Sequence, residues 1–315
     1  MIPDKLVTVV QKRNLWFLIS FLVISIGIGL MSYRSLVQQP FLNFGIDFTG
    51  GASFLVKFDS LNQSHASQKT IKSSSDINTA FIKNLRGVLK SVGLDKSQIQ
   101  ITQDKEVIIR TIHLKNDMRI NLLNLLEERL GVFELLEVDI IGPSIGEELK
   151  KQSFWIILLV SISLLIYISW RFDILFGGAA LMAVLHDALV VLSLAAMLKI
   201  EVNTAFVAAI LTILGYSIND TIVIFDRIRE NLALYEDKQE LKAIINISIT
   251  QMLSRSLHTS VTTLSVIGAL LIFGGVTIKS FALILLIGII AGTYSSIFIA
   301  SPILYVLSLR KAGKT

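Results

Sequence analysis

The sequence of 315 residues contains no cysteine and few charged side chains. The absence of cysteine excludes disulfide bonds, catalytic thiolates, cysteine zinc sites and cysteine-ligated iron–sulfur clusters. Charged residues make up 17% of the chain and hydrophobic residues 53%. With a mean hydropathy of +0.68, the chain carries more apolar surface than one soluble core can hide, which excludes a soluble globular protein.

Motifs that would indicate catalysis are missing too. The sequence has no H-E-x-x-H and no phosphate-binding loop, so neither a metalloprotease nor an ATP-driven pump is indicated. A G-x-S-x-G match at 142–146 lies in a region without a constellation of His and Asp, and we interpret it as a turn. We therefore expect a protein that is not an enzyme and holds no metal and no cofactor.

Six continuous apolar runs account for the high hydropathy. Each is close to the ~20 residues that cross a ~30 Å hydrocarbon layer as a helix. They predict an α-helical polytopic membrane protein with six transmembrane helices, the first a retained anchor because no small-x-small cleavage site follows it. The runs cover residues 15–33, 154–170, 174–198, 203–225, 256–275 and 281–307.

The basic residues predict how these helices are oriented. With a cytoplasmic amino terminus, twelve Lys and Arg residues lie in cytoplasmic segments, and only Lys199 and Lys279 lie in short outer loops. This bias places both termini inside and residues 34–153 outside, and it explains the net charge of +5 without nucleic acid. The twelve are Lys5, Lys12, Arg13, Arg171, Arg227, Arg229, Lys238, Lys242, Arg255, Arg310, Lys311 and Lys314.

The outer segment, residues 34–153, has the periodicity of an α+β domain. Its predicted order is βαββαβ, the ferredoxin-like arrangement of helices on an antiparallel sheet, with a Ser/Gln/Lys-rich loop at 59–75. We expect strands at 52–58, 98–102, 106–112 and 133–141 and helices at 76–91 and 116–130. The other predicted regions are 1–33 (cytoplasmic amino terminus and first helix), 154–307 (five-helix membrane domain with a cytoplasmic loop at 226–255) and 308–315 (cytoplasmic tail).

Glycines cluster at both ends of the outer segment. Glycine supplies the positive φ of tight turns, and the single Asp in the first cluster is not by itself a metal site. We expect a structural role for these motif residues, which are Gly45, Asp47, Gly50, Gly51, Gly142, Pro143 and Gly146.

The predicted spans contain few ionisable side chains, and each is a functional candidate. Insertion of such a side chain into a span costs at least ~2.5 to 3.5 kcal/mol. His186 and Asp187 lie at the centre of the third run, Asp220 lies near the cytoplasmic end of the fourth, and Arg255 precedes the fifth.

Asp220 and Arg255 lie on the same side of the membrane, and we expect them to pair. One interpretation is an ion pair that staples two helices. The other is a carboxylate that takes up and releases protons, with Arg255 tuning its pKa. His186 fits a structural bond to a carbonyl as well as it fits a proton relay, whereas a structural role alone explains Asp187 less well.

Two further patterns concern helix packing. Gly288, Gly292 and Ser296 repeat every four residues, and this small-residue groove predicts close packing with a partner subunit or with a span of the same chain. Within 226–255, an apolar face predicts a helix that lies on the membrane surface or against a partner, or one that packs on the chain's own spans.

Five segments of the chain carry a family resemblance. They are FGIDFTGG (44–51), IGPSIGEELKKQS (141–153), His186-Asp187, LGYSINDTIVIFDRIREN (214–231) and SRSLHTSVTTL (254–264). Together they resemble the SecF branch of the SecD/SecF family, in the resistance-nodulation-division superfamily. The resemblance extends over nearly the whole chain, and SecD proteins carry a GLDL-type motif where this chain has GIDF. His258 departs from the family pattern, which has Asn or another small polar residue there.

The resemblance implies a protein-export subunit of the bacterial inner membrane. Its implied partners are SecD, a small accessory membrane subunit of the YajC type, the SecY channel complex and the exported unfolded polypeptide. It also implies that the proton gradient drives export and that Asp220 and Arg255 belong to the proton pathway, to which we add Asp187 and His186.

Two other classes of function stay open. A proton-driven exporter of small molecules or lipids from the same superfamily would use the same proton site, but such exporters usually have twelve spans, twice the number predicted here. A purely structural subunit would need no buried charge, so Asp220 and Asp187 argue against it.

Overall fold

The computed structural model describes residues 6–59, 61, 74–102, 104–235, 238–311 and 313. The chain divides into two compact units. We call Phe44–Gln152 the sheet domain, and we call Met1–Asn43 together with Ser153–Thr315 the membrane unit. Most of the loop predicted at 59–75 lies outside the described residues.

Helices dominate the chain, and the strands are confined to short segments. In chain order the elements are a 3₁₀ turn Val10–Lys12, α1 Arg13–Leu36, β1 Asn43–Phe44, α2 Ile46–Thr49, β2 Gly51–Phe58, α3 Ser74–Ser91, β3 Gln98–Ile101, β4 Glu106–Thr111, α4 Asn116–Leu130, β5 Phe133–Ile141, α5 Pro143–Arg171, α6 Ile174–Leu198, β6 Glu201–Val202, α7 Thr204–Tyr235, α8 Leu241–Phe273, α9 Val276–Ser295, a π-helical turn Ser296–Ala300 and α10 Ser301–Lys311.

Six helices in the described residues are long and apolar enough to cross a membrane, which confirms the predicted number. They are α1, α5, α6, α7, α8 and the continuous helix formed by α9, the π turn and α10. Several extend well beyond their apolar runs, since α5 begins at Pro143 and α7 continues to Tyr235. Hydropathy marks only the apolar part of a helix, whereas Glu, Lys and Arg continue the helical backbone as readily as Leu.

The segment predicted as a cytoplasmic loop at 226–255 is mostly helical. Tyr235 ends α7 and Leu241 begins α8, which continues without a break into the fifth span. Ile245 and Ile249 are buried in the same hydrophobic cluster as α6 and α7. The apolar face of this segment therefore packs on the chain's own spans, which was one of the two predicted alternatives.

The sheet domain has the element order β2-α3-β3-β4-α4-β5. Its four strands lie in the order β3-β4-β2-β5, and each pair of neighbours is antiparallel. Alternate residues of the central strand β2, such as Phe54 and Phe58, are fully buried. They share one core with Leu85 of α3 and Leu122 of α4, so both helices cover one face of the sheet.

The small-residue groove of α9 is filled by α7 of the same chain. A Cβ atom on Gly288 would lie 2.1 Å from the Ile213 side chain, and one on Gly292 would lie 3.0 Å from the Ser217 Cβ. One turn further on, the Ser296 hydroxyl lies within hydrogen-bond distance of α7. The groove therefore brings the backbones of α7 and α9 together within the membrane unit and is not an open docking surface.

Candidate functional site: a buried polar network

A fully buried carboxylate lies inside the membrane unit. Asp187 of α6 has its Oδ1 atom 2.9 Å from Nδ1 of His186. Its Oδ2 atom accepts hydrogen bonds from the hydroxyls of Ser217 on α7 and Ser295 on α9, the latter at 2.8 Å. Because a charge in a span has no water to solvate it, these three partners stabilise the carboxylate and fasten α6, α7 and α9 together.

His186 extends this network to α1. The Ser20 Oγ of α1 lies 2.8 Å from the second ring nitrogen of His186, Nε2. The Tyr294 hydroxyl lies 3.5 Å from the same Oγ and donates to the Trp16 carbonyl at 2.8 Å. A continuous row of polar groups therefore connects α1 with the buried carboxylate.

A second buried carboxylate, Asp220 of α7, is bonded differently. The Ser256 hydroxyl of α8 donates to its Oδ1 at 2.7 Å. Its Oδ2 is buried and has no hydrogen-bond partner among the described residues. An unpaired buried polar atom carries the full free-energy cost of losing its water. The Asp220 carboxylate is therefore less completely stabilised by hydrogen bonds than that of Asp187.

The predicted ion pair between Asp220 and Arg255 is not formed. No ion pair joins these two described side chains, and Arg255 lies on the exposed side of α8. Successive helical residues point ~100° apart, and it is the next residue, Ser256, that faces α7.

Hydroxyls at the end of α9 and the start of the π turn contact Asp187 and the residue that follows Asp220. Ser295 donates to Asp187, and the Ser296 Oγ lies 2.8 Å from Oγ1 of Thr221, which follows Asp220. Ser296 also begins the π-helical turn, and such turns are frequent at functional sites. The end of α9 therefore lies next to both acidic centres.

Sequence reasoning singled out both acids but did not identify Ser256 and Ser295 as their hydrogen-bond partners. The partners lie on other helices, so only the hydroxyl content of the apolar runs could have indicated them, and that signal does not show which hydroxyls face inward. The missed residues are Ser256 and Ser295, which bond to the acids, and Ser20 and Tyr294, which extend the network from His186.

The two glycine clusters of the sheet domain meet. Gly50 and Gly51 have φ values of +68° and +144°, which L-residues rarely adopt. A Cβ atom on Gly146 would lie 2.9 Å from the Gly50 backbone nitrogen, and one on Gly51 would lie 2.4 Å from the Thr111 carbonyl oxygen. Gly142 and Pro143 lie at the start of α5, where the proline's fixed φ suits the first turn. The clusters therefore form one close-packed backbone junction.

Acidic residues lie near this junction. Partial burial, with the carboxylates of Glu137 and Asp47 nearby, raises the pKa of Asp139 above its ordinary value. In the described part of the chain, no group of three His, Asp or Glu side chains has the geometry to hold a metal ion. Asp47 of the short helix α2 lies at the junction, since a Cβ atom on Gly146 would lie 3.4 Å from its carbonyl oxygen.

These features define a multi-pass membrane protein with buried polar centres and one sheet domain. The comparisons agree: residues 123–310 match the family "Protein export membrane protein SecD/SecF, C-terminal", and residues 42–60 match the SecD/SecF GG motif. The chain therefore belongs to the SecD/SecF family.

Relatives named "Protein translocase subunit SecF" are similar over most of their length. The protein of Sebaldella termitidis is 40% identical over 94% of this chain and 90% of its own. The protein of Desulfurispirillum indicum is 40% identical over 84% of this chain and 81% of its own.

Two solved SecDF structures share the fold. SecDF of Thermus thermophilus, described as a translocon-associated membrane protein, is 32% identical with a TM-score of 0.81 and covers 98% of this chain. A SecDF structure in a super-membrane-facing form is 31% identical with a TM-score of 0.68 and covers the whole chain. This chain spans 39% and 40% of those two chains, so it corresponds to about two fifths of each.

The junction yields a paired test. Gly146→Ala places a methyl group against the Gly50 backbone, and we expect it to lower stability by about 1 to 3 kcal/mol, as overpacking does. Gly142→Ala is the matched control, because a Cβ atom there meets no atom within 4 Å. When the purified variants are melted in detergent, Gly146→Ala should have a lower melting temperature than Gly142→Ala. Equal melting temperatures would contradict the close packing of the junction.

Proposed function

We propose that this chain is the SecF-type subunit of a protein-export machine that uses the proton gradient. Membership of the SecD/SecF family supports the export role. The observation that carries the proton-coupled part is Asp220, a carboxylate that is buried in a span helix and has one oxygen without a hydrogen-bond partner among the described residues. Ionisable residues inside spans that are not fully satisfied are characteristic of ion and proton pathways.

The similarity to SecDF supports a complex in which two subunits supply different membrane spans. Because this chain corresponds to about two fifths of the SecDF chains, a SecD-type subunit supplies the remaining spans in our proposal. The family resemblance extends the assembly to a YajC-type subunit and the SecY channel complex, with an exported unfolded polypeptide as the cargo. The chain acts as a transport subunit and not as an enzyme.

Proton binding at Asp220 changes what the carboxyl group can bond. The ionised form only accepts hydrogen bonds, whereas the protonated form also donates one. Ser256 ties this group to α8, so a change in its protonation alters the contact between α7 and α8. A proton moving down the gradient supplies ~2.3 kcal/mol per 100 mV, enough to shift two states of similar free energy.

The other three pathway residues have narrower roles in this proposal. Arg255 contributes its positive charge at a distance. Asp187 and His186 hold the hydroxyls of Ser20, Ser217 and Ser295 in place, because both carboxylate oxygens of Asp187 are already bonded.

We also infer that the sheet domain is ferredoxin-like. The element order βαββαβ and the strand order, with the first and third strands of the domain adjacent at the centre, support this assignment.

The proposed location is the bacterial inner membrane, with both termini in the cytoplasm and the sheet domain outside. An alkaline phosphatase fusion after residue 120 should be active, since that enzyme requires export, and a fusion after residue 240 should be inactive. β-Galactosidase fusions at the same sites should give the reverse pattern. Activity of alkaline phosphatase only at 240 would invert the topology.

The proton-coupled role predicts a selective defect. Asp220→Asn keeps the shape and the bond to Ser256 but removes the titratable proton, so gradient-stimulated export should fall to the level measured with the gradient dissipated. The measurement is export into inverted vesicles containing the SecD-type subunit, with the assembled amount determined in the same preparation.

Asp173→Asn is the matched control, because it makes the same chemical change at an exposed carboxylate before α6 and should leave export unchanged. If Asp220 only stapled helices, export and assembled amount would fall together, as expected when one partner of a buried polar contact is removed. Wild-type stimulation by the Asn variant at normal assembled levels would falsify the proton-carrier role.

A further inference from the structure

The sheet domain contains a cavity of about 330 Å³ that the proton pathway does not use. This volume is at the lower end of the ~300–1,000 Å³ typical of ligand pockets. The cavity lies between Gly50 of the glycine junction, the turn Gly93–Ser97 and the end of β4 at Arg110–Ile112. It therefore adjoins the segment that carries the family's GG motif.

Two residues that line this cavity have buried hydroxyls with no hydrogen-bond partner. They are Ser97 and Thr111, and no described group bonds to either oxygen. Thr111 is only 8% exposed. Because unpaired buried hydroxyls are costly, a ligand in the cavity that could bond to them after a χ1 rotation would gain free energy from both.

The cavity also lies at one end of an edge strand. Gln98, the first residue of β3, lines it and pairs with Arg110 of β4. In the described part of the chain, no strand pairs with the other side of β3. An unpaired edge presents backbone donors and acceptors to which an extended peptide can add.

The remaining lining matches a peptide better than a simple ion. Asp95 contributes a negative charge and Lys96 and Arg110 contribute positive charges, so the lining offers both signs of charge, as the side chains of a polypeptide do. Phe44, Ile46 and Leu94 provide apolar surface, and the neighbouring Ile112 is 67% exposed. Hydroxyls both donate and accept, as backbone amides do.

We propose that this cavity and the adjoining edge of β3 bind a short extended segment of unfolded polypeptide. The peptide backbone adds to β3, and its end enters the cavity, where Ser97 and Thr111 bond to it. This inference rests on the export function proposed above and specifies where in the chain the cargo is contacted.

The test uses the full chain in nanodiscs, with reduced and alkylated ribonuclease A as the unfolded probe. A photocrosslinking residue at Ile112 should capture the probe, and one at the exposed Leu135 of β5, the opposite edge strand, should not. The double variant Ser97→Ala with Thr111→Val should weaken probe binding about tenfold, corresponding to ~1.4 kcal/mol for two lost hydrogen bonds. Its melting temperature should stay equal or rise, since it removes two unpaired hydroxyls.

Three results would overturn the inference: unchanged binding by the double variant, equal crosslinking at both positions, or binding of inorganic phosphate in place of the polypeptide. The export assay separates this inference from the proposed function. A chain that supports gradient-driven export without crosslinking at Ile112 overturns the cavity alone. A chain that shows neither gradient-driven export nor crosslinking at Ile112 overturns both the proposed function and this inference.

Discussion

The membrane unit depends on one constraint, which is that a carboxylate removed from water must find its hydrogen-bond partners inside the protein. Asp187 meets this constraint with His186, Ser217 and Ser295, contributed by α6, α7 and α9. The close approach of α7 and α9, which glycine at 288 allows, brings those hydroxyls within reach. Packing and electrostatics are therefore linked, since the same contact that excludes lipid from between the helices also stabilises the charge.

Asp220 differs from Asp187 in the feature that matters for proton transfer. Asp187 is bonded on both oxygens, whereas Asp220 has a partner for one oxygen only in the described part of the chain. A group that exchanges protons must be nearly as stable in one protonation state as in the other, and an incompletely bonded carboxylate fits this requirement better. Ser295 at the end of α9 bonds to Asp187, and the adjacent Ser296 bonds to Thr221, the residue that follows Asp220 in α7.

Much of this organisation could be predicted from the sequence, and the failures have one physical origin. Apolar runs of span length predicted six helices, and alternation such as that of Phe54 and Phe58 predicted strand β2. Sequence reasoning expected Arg255 to pair with Asp220, but Ser256 does so, because the rotation of α8 is set by packing that no single helix encodes. The sequence also could not show which helix fills the groove at Gly288, because Ile213, which fills it, is distant in sequence.

The central claim is that Asp220, and not Asp187, changes its protonation during function. Infrared difference spectroscopy of the assembled complex between acidic and neutral pH tests it most directly, because a protonated carboxylic acid has a carbonyl band that a carboxylate lacks. The account predicts a pH-dependent carbonyl band that disappears in Asp220→Asn and persists in Asp187→Asn. A band that persists in Asp220→Asn and disappears in Asp187→Asn would contradict the account.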